Sequence, residues 1–233
     1  MTGWLVRLID YLRRTGMTEV RALVLLALVA AGAFGFVQLA DEVLEGETRT
    51  IDETLLLLLR ARGDPSEPWG PVWLEEFGRD ITALGSMGVL TLVTLGVAGY
   101  FAFTRSAREA LLLLLAIGGG MVLVTLMKSG FDRPRPDLVP HGTRVVTASF
   151  PSGHAMMAAV TYLTLGALLA RAQEHWRVKA YLLGFAVLVT VLVGVSRVYL
   201  GVHWPSDVLA GWVAGASWAA LCWILVSWEE RGK

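Results

Sequence analysis

Six stretches of this 233-residue chain contain no Asp, Glu, Lys or Arg, and no other feature limits the fold so strongly. They are Ala22–Ala40, Ile81–Thr104, Ala110–Met127, Ala155–Ala170, Ala180–Ser196 and Val208–Trp228. A helix needs about 20 apolar residues to cross a hydrocarbon core. A charge at mid-membrane costs at least about 2.5–3.5 kcal/mol, so charged residues are expected to mark span ends. The pattern predicts an all-α, six-transmembrane helix bundle forming one domain over residues 1–233. Its spans should lie near 22–40, 81–104, 110–127, 154–170, 180–196 and 207–228. The fourth run is short, so His154 and its neighbours should open that helix. Only 17% of residues are charged, against about 25% in soluble domains. The zero net charge gives no reason to expect a nucleic-acid partner.

The first run is longer than the core of a secretory signal, which is about 7–15 residues. It reads as an uncleaved anchor. Leu55–Leu59 is too short to span. Between Asp52-Glu53 and Arg60-Arg62 it reads as a short interfacial helix in the first outward loop, or else as a leucine plug on the bundle. Trp69 and Trp73 suit the headgroup level, and the tryptophans of the last run suit packing and interface anchoring. The single Cys222 reads as a small buried apolar residue.

Six spans would place both termini on one side. The twenty Lys and Arg then divide eleven to nine, with the termini and the turns at Arg105–Arg108 and Arg171–Lys179 on the richer side. Several of the nine have a chemical use, described next. The positive-inside rule therefore places the termini in the cytoplasm.

Three segments carry chemistry. Lys128-Ser-Gly-Phe-Asp-Arg-Pro-Arg135-Pro136 follows the third run, and Pro151-Ser152-Gly153-His154 opens the fourth. Ser196-Arg197 to His203 and Asp207 links the fifth and sixth. Alternating spans bring all three to one membrane face. Lys128, Arg135 and Arg197 supply positive charge for a phosphoryl group in transit. Ser152 is a good N-cap, and Gly153 lets backbone approach an anion at a helix start. The sixth helix, opening at Pro205-Ser206-Asp207, should offer a second such end. His203 and Asp207 are four apart and share a face if that segment is helical or nearly so, in which case the carboxylate can orient one ring nitrogen and leave the other as nucleophile. His154 is placed to protonate the leaving oxygen. No metal and no cofactor are required, since the cations replace them. Each residue has an ordinary role in isolation (anchor, cap or loop), and it is their joint order that points to chemistry. Spacing favours Arg135 over Arg133 as the ligand, with Arg133 left as a headgroup or loop contact. His141 and Arg144 fit a solvated loop, and His175 falls in an opposite turn.

These residues resemble the type 2 phosphatidic acid phosphatase superfamily. Its signature is K-x6-R-P, then P-S-G-H, then S-R-x5-H-x3-D. Lys128 with Arg135-Pro136, Pro151 to His154, and Ser196-Arg197 with His203 and Asp207 match it in order and spacing. The resemblance implies a membrane lipid phosphatase. It implies His203 as nucleophile, Asp207 as its orienting partner and His154 as acid/base, with Lys128, Arg135, Ser152, Gly153 and Arg197 as phosphate ligands. Bacterial members of similar size act on phosphatidylglycerophosphate, phosphatidic acid and undecaprenyl pyrophosphate. A bacterial inner-membrane location with the site facing outward is the matching expectation. Two alternatives are a lipid phosphotransferase of the same fold and a transporter that binds lipid phosphate without turnover.

Overall fold

A computed structural model describes residues 3–104, 106–143 and 147–228, with side chains described over 22–104, 106–143 and 147–225. Arg144, and most of the basic residues behind the orientation argument (Arg7, Arg13, Arg14, Arg21, Arg105, Arg231 and Lys233), lie outside the described side chains.

The chain is helical almost throughout. The helices are α1 (Gly3–Glu45), α2 (Arg49–Leu57), α3 (Val72–Ala83), α4 (Met87–Phe103), α5 (Ala107–Gly130), α6 (Gly153–Arg171), α7 (Trp176–Tyr199) and α8 (Pro205–Trp228). Five are long and apolar enough to cross a membrane, and α3 with α4 makes a sixth candidate bent by 49°. Expected spans one, three, five and six fall inside α1, α5, α7 and α8. The fourth begins at Gly153, so His154 does belong to its first turn.

The second expected span is broken. Residues 81–104 straddle the end of α3 and the start of α4, because Ser86 caps α4 by accepting the Val89 N–H at 3.4 Å. The Leu84 carbonyl exposed by the break accepts the Tyr162 hydroxyl of α6 at 2.9 Å. Hydropathy alone could not show this break, because Gly85 and Ser86 leave the run uncharged.

Leu55–Leu57 belong to α2 and Leu58 is its C-cap, and the leucines divide. Leu56 is fully buried against Val139, Val198, Trp204 and Val208, while Leu55, Leu57 and Leu58 stay exposed. One unexpected element follows, an antiparallel pair of strands, β1 (Arg60–Ala61) and β2 (Asp64–Pro68).

α6 is the centre of the bundle. It packs against α7, α8 and α5, while α1 packs along α8. Gly211 and Gly215 let α6 and α8 touch. A Cβ at Gly211 would lie 2.7 Å from the Ser152 carbonyl oxygen, and one at Gly215 would lie 2.8 Å from the Ala159 Cβ. Small residues four apart allow such close backbone approach, which dispersion rewards in a setting where lipid competes with side chains. Two tryptophans of α8 pack into the bundle: Trp212 donates to the Thr190 carbonyl at 3.1 Å and Trp218 to the Ala116 carbonyl at 2.8 Å. Cys222 is buried in the same core. The polar end of the bundle is defined by the last turns of α5 and α7 and the first turns of α6 and α8.

Candidate active site

All eight residues singled out from the sequence gather at that end. Lys128 and Arg197 sit in the last turns of α5 and α7. Ser152 caps α6, with Gly153 and His154 as its first residues. Arg135 lies on the α5–α6 loop, His203 on the α7–α8 turn, and Asp207 in the first turn of α8. Gly201, at φ 70°, turns the chain out of α7 and down to His203.

His203 is 1% exposed and Asp207 0%. The His203 Nδ1 lies 3.3 Å from Asp207 Oδ2. Its Nε2 lies 3.2 Å from Arg135 Nη1. A guanidinium can only donate. Nε2 must therefore carry the lone pair, and Nδ1 the proton that faces the carboxylate. This is the tautomer a histidine nucleophile needs. Burial is the main influence on the ring's charge. It pulls His203 from the ordinary imidazole value down to about 4, against the opposing pull of Asp207. The ring is thus neutral at physiological pH.

Asp207 divides its two oxygens. Oδ2 accepts from Trp204 N–H at 2.9 Å and from the Ser149 hydroxyl, besides His203. Oδ1 accepts from Arg133 Nη1 at 2.6 Å. Arg133 is therefore not the headgroup or loop contact expected from spacing. It is an inward-facing cation, with only 13% of its side chain exposed, paired to Asp207 and to Asp52. The Arg-Pro repeat hid this, because prolines at 134 and 136 fix both arginines on one extended strip and let each take a different partner.

The expected ligands surround His203 from the other sides. Arg135 also donates to the carbonyls of Val202 at 2.6 Å and Thr147 at 2.9 Å. Desolvation lowers its pKa, partly offset by Asp207. Lys128 donates to the Ala148 carbonyl at 2.6 Å, and its Cε would lie 3.5 Å from a Cβ at Gly153. Arg197 is 3% exposed and donates to the Thr82 hydroxyl at 3.0 Å, while its Nε has no partner among the described residues. His154 lies within electrostatic reach of Arg197, His203, Lys128 and Arg135, and its ring makes no hydrogen bond among the described residues. Ser152 accepts the Ala155 N–H at 3.5 Å. The first-turn N–H groups of Gly153 and His154 have no acceptor among the described residues.

The start of α8 differs from expectation. Its Ser206 N–H is held by Asp52 Oδ1 at 2.8 Å, and Trp204 N–H by Asp207. Carboxylates thus hold two N–H groups at that helix start, whereas none holds the first N–H groups of α6 among the described residues. Reading the sequence also missed Ser149, Thr82, Arg133 and Asp52. Ser149 and Thr82 lie outside the three segments, and nothing in their local sequence marks them. Asp52 had a faint signal: Thr48, Asp52 and Leu56 recur every four residues and form one buried face of α2. The exposed His141 holds the Pro136 carbonyl at 2.7 Å and makes no hydrogen bond to His203 or Asp207 among the described residues.

A polytopic helical fold that gathers a neutral histidine, its aspartate and several cations at four helix ends defines a class of membrane protein that handles phosphate. Residues 109–231 match the family model of the PAP2 superfamily, and the chain belongs to that superfamily. The phosphatidylglycerophosphatase B of Bacillus subtilis is 38% identical over 69% of this chain and 78% of its own length. The undecaprenyl-diphosphatase of Sulfolobus acidocaldarius is 31% identical over 69% of this chain and 70% of its own. Among solved structures, the transmembrane PAP2-type phosphatidylglycerolphosphate phosphatase of Bacillus subtilis superposes with a TM-score of 0.74. It is 30% identical and covers 88% of this chain and 97% of that one.

Proposed function

We propose that this protein hydrolyses a membrane lipid phosphate or diphosphate through a phosphohistidine on His203, without a metal. The observation that carries the reading is the Nε2 lone pair of a neutral His203, aimed at the side where Arg135 and the other cations converge. The superfamily and the relatives' activities support a lipid as substrate, within the class of phosphatidylglycerophosphate, phosphatidic acid and undecaprenyl pyrophosphate.

Lys128, Arg135, Arg197 and the open α6 N-terminus hold the phosphoryl oxygens, where charge builds up in the transition state. The Nε2 lone pair forms a bond to phosphorus while the bond to the lipid oxygen breaks. That oxygen keeps the electron pair and takes a proton from His154, whose cationic form the negative charge of the bound phosphate stabilises. Asp207 stabilises the His203 ring as it becomes positive. Water then gives a proton to His154, its oxygen bonds phosphorus, and the P–N pair returns to Nε2. Phosphate leaves.

The enzyme would sit in a bacterial inner membrane with six spans, α3 and α4 counting as one bent span. The termini would be cytoplasmic and the site would face outward, as the positive-inside argument requires. Asp137, exposed on the α5–α6 loop, tests this. In intact cells, cysteine at Asp137 should react with an impermeant maleimide, with the buried Cys222 giving little background. Labelling only after permeabilisation would reverse the orientation.

The direct test is phosphate release by purified protein from the three lipid classes side by side, in excess chelator. At least one should turn over and free phosphate should appear without a phosphorylated acceptor. His203→Ala should abolish it. Full activity in His203→Ala, or activity restored only by a divalent ion, would refute the reading.

A further inference from the structure

The geometry points to Asp52, on α2 and outside the family-matched residues 109–231, as a positioning residue for the His203–Asp207 pair, acting through Arg133. This rests on the reading of His203 as nucleophile. None of the three sequence segments contains Asp52.

Four observations converge. Asp52 is 1% exposed, although it carries a carboxylate on a nine-residue helix. Its Oδ2 accepts from Arg133 Nη2 at 2.8 Å, and its two oxygens hold Ser206, Oδ1 the N–H at 2.8 Å and Oδ2 the hydroxyl at 2.6 Å. Arg133 uses its other nitrogen, Nη1, on Asp207 Oδ1 at 2.6 Å and on the Ser206 hydroxyl at 2.8 Å. Thr48, one turn before Asp52, accepts from Arg133 Nη2 at 3.2 Å. The guanidinium is a planar fork, and here each prong holds a different carboxylate.

The division of Asp207 gives this arrangement its purpose. His203 needs Oδ2 at its Nδ1–H. Arg133 occupies Oδ1 and fixes the rotation of the carboxylate about its Cβ–Cγ bond. If Asp52 did not hold the far prong, Arg133 could swing toward Oδ2, where it would compete with the imidazole for the same lone pairs. Asp52 also fixes the start of α8 by holding Ser206 N–H, one residue before Asp207. Both routes from Asp52 therefore end on the same carboxylate. A buried ion pair is weak evidence for stability, because desolvation offsets its attraction. A positional role accounts better for two buried carboxylates sharing one cation.

A role confined to folding would lower the yield of active protein without changing the active site. A positioning role changes the reacting geometry. Vanadate tells the two apart, because it mimics the five-coordinate phosphoryl state and bonds to the nucleophile, whereas inorganic phosphate needs only the cations. The test compares Asp52→Asn, Thr48→Val, Arg133→Lys and the Asp52→Asn/Arg133→Lys double variant with wild type in detergent. It reads vanadate affinity, phosphate affinity, kcat and KM on the best lipid substrate, and thermal unfolding. Asp52→Asn should weaken vanadate binding and lower kcat by roughly 10–100-fold, while phosphate affinity and KM stay within about threefold. Thr48→Val, the milder change, should lower both in the same direction by roughly two- to fivefold. The double variant should be no worse than the more impaired single, since both act on one contact. Equal losses of vanadate and phosphate affinity, or unchanged kcat in folded Asp52→Asn and Thr48→Val, would overturn the proposal. A wild-type protein that binds vanadate no better than phosphate would instead refute His203 as nucleophile, and the role of Asp52 with it.

Discussion

Two helix starts face the site, and they do opposite things. α6 opens with Pro151-Ser152-Gly153, and α8 with Trp204-Pro205-Ser206. Both begin with the residues that favour a helix N-terminus. At α6 the cap is its own serine, and the next N–H groups lack acceptors among the described residues. At α8 two carboxylates, Asp52 and Asp207, hold the N–H groups of Ser206 and Trp204. One end is left to attract an anion. The other is filled by built-in anions and becomes a mount for the nucleophile. What decides the role of a helix start is thus which carboxylates lie within reach of it.

The mount should be the more fragile of the two. Asp207→Asn keeps the shape but replaces one accepting oxygen with a donor, which favours the wrong tautomer of His203. Single-turnover phosphate release should fall about 10⁴-fold. Gly153→Asp would turn the open end into a filled one. It should cost about 10²–10³-fold, read as weaker phosphate and vanadate binding. If Gly153→Asp left binding intact, the α6 terminus would not be a phosphate ligand.

The pH profile sharpens the same contrast. His203 charges less readily in the fold than in the unfolded chain, where an ordinary value of about 6.5 applies. Its folded value is about 4. Between these values the unfolded state binds the extra proton, so stability rises with pH through this window. The contribution is complete above about 6.5 and is lost as pH falls toward about 4. The acid limb of kcat/KM assigned to His203 should accordingly lie below pH 6, nearer 4. An acid limb for His203 at 6.5 or above would contradict its burial. A smaller effect belongs to Ser206→Ala. It removes the hydroxyl bonds to Asp52 and Arg133 but keeps the N–H on Asp52, so kcat should fall by about tenfold or less.

The six uncharged runs were legible in the sequence because membrane physics is severe and one-dimensional. A charge inside a span is costly, so its absence over 16 or more residues carries information. The motif residues were legible because their spacings coincide with helix ends: Lys128 and Arg197 close α5 and α7, and Ser152 and Asp207 open α6 and α8. The bend at Gly85-Ser86 was not, since an uncharged break costs nothing in hydropathy. Asp52 was hidden for another reason. Adjacent to Glu53 and before a leucine run, it looked like the charged border of an interfacial helix. Its burial depends on Arg133 and Ser206, 81 and 154 residues away. Local sequence cannot reveal a partner that distant. Arg133 was misread by the same limit, because two adjacent Arg-Pro pairs look alike until the fold gives one of them Asp52 and Asp207.

The account turns on whether phosphorus becomes bonded to His203. Wild-type and His154→Ala protein can be quenched in base during turnover of a lipid substrate labelled in its phosphoryl group, then digested and mapped by mass spectrometry. An acid-labile, base-stable phosphoryl group is expected on His203, absent from His203→Ala. Label on any other residue, or label retained in His203→Ala, would contradict it.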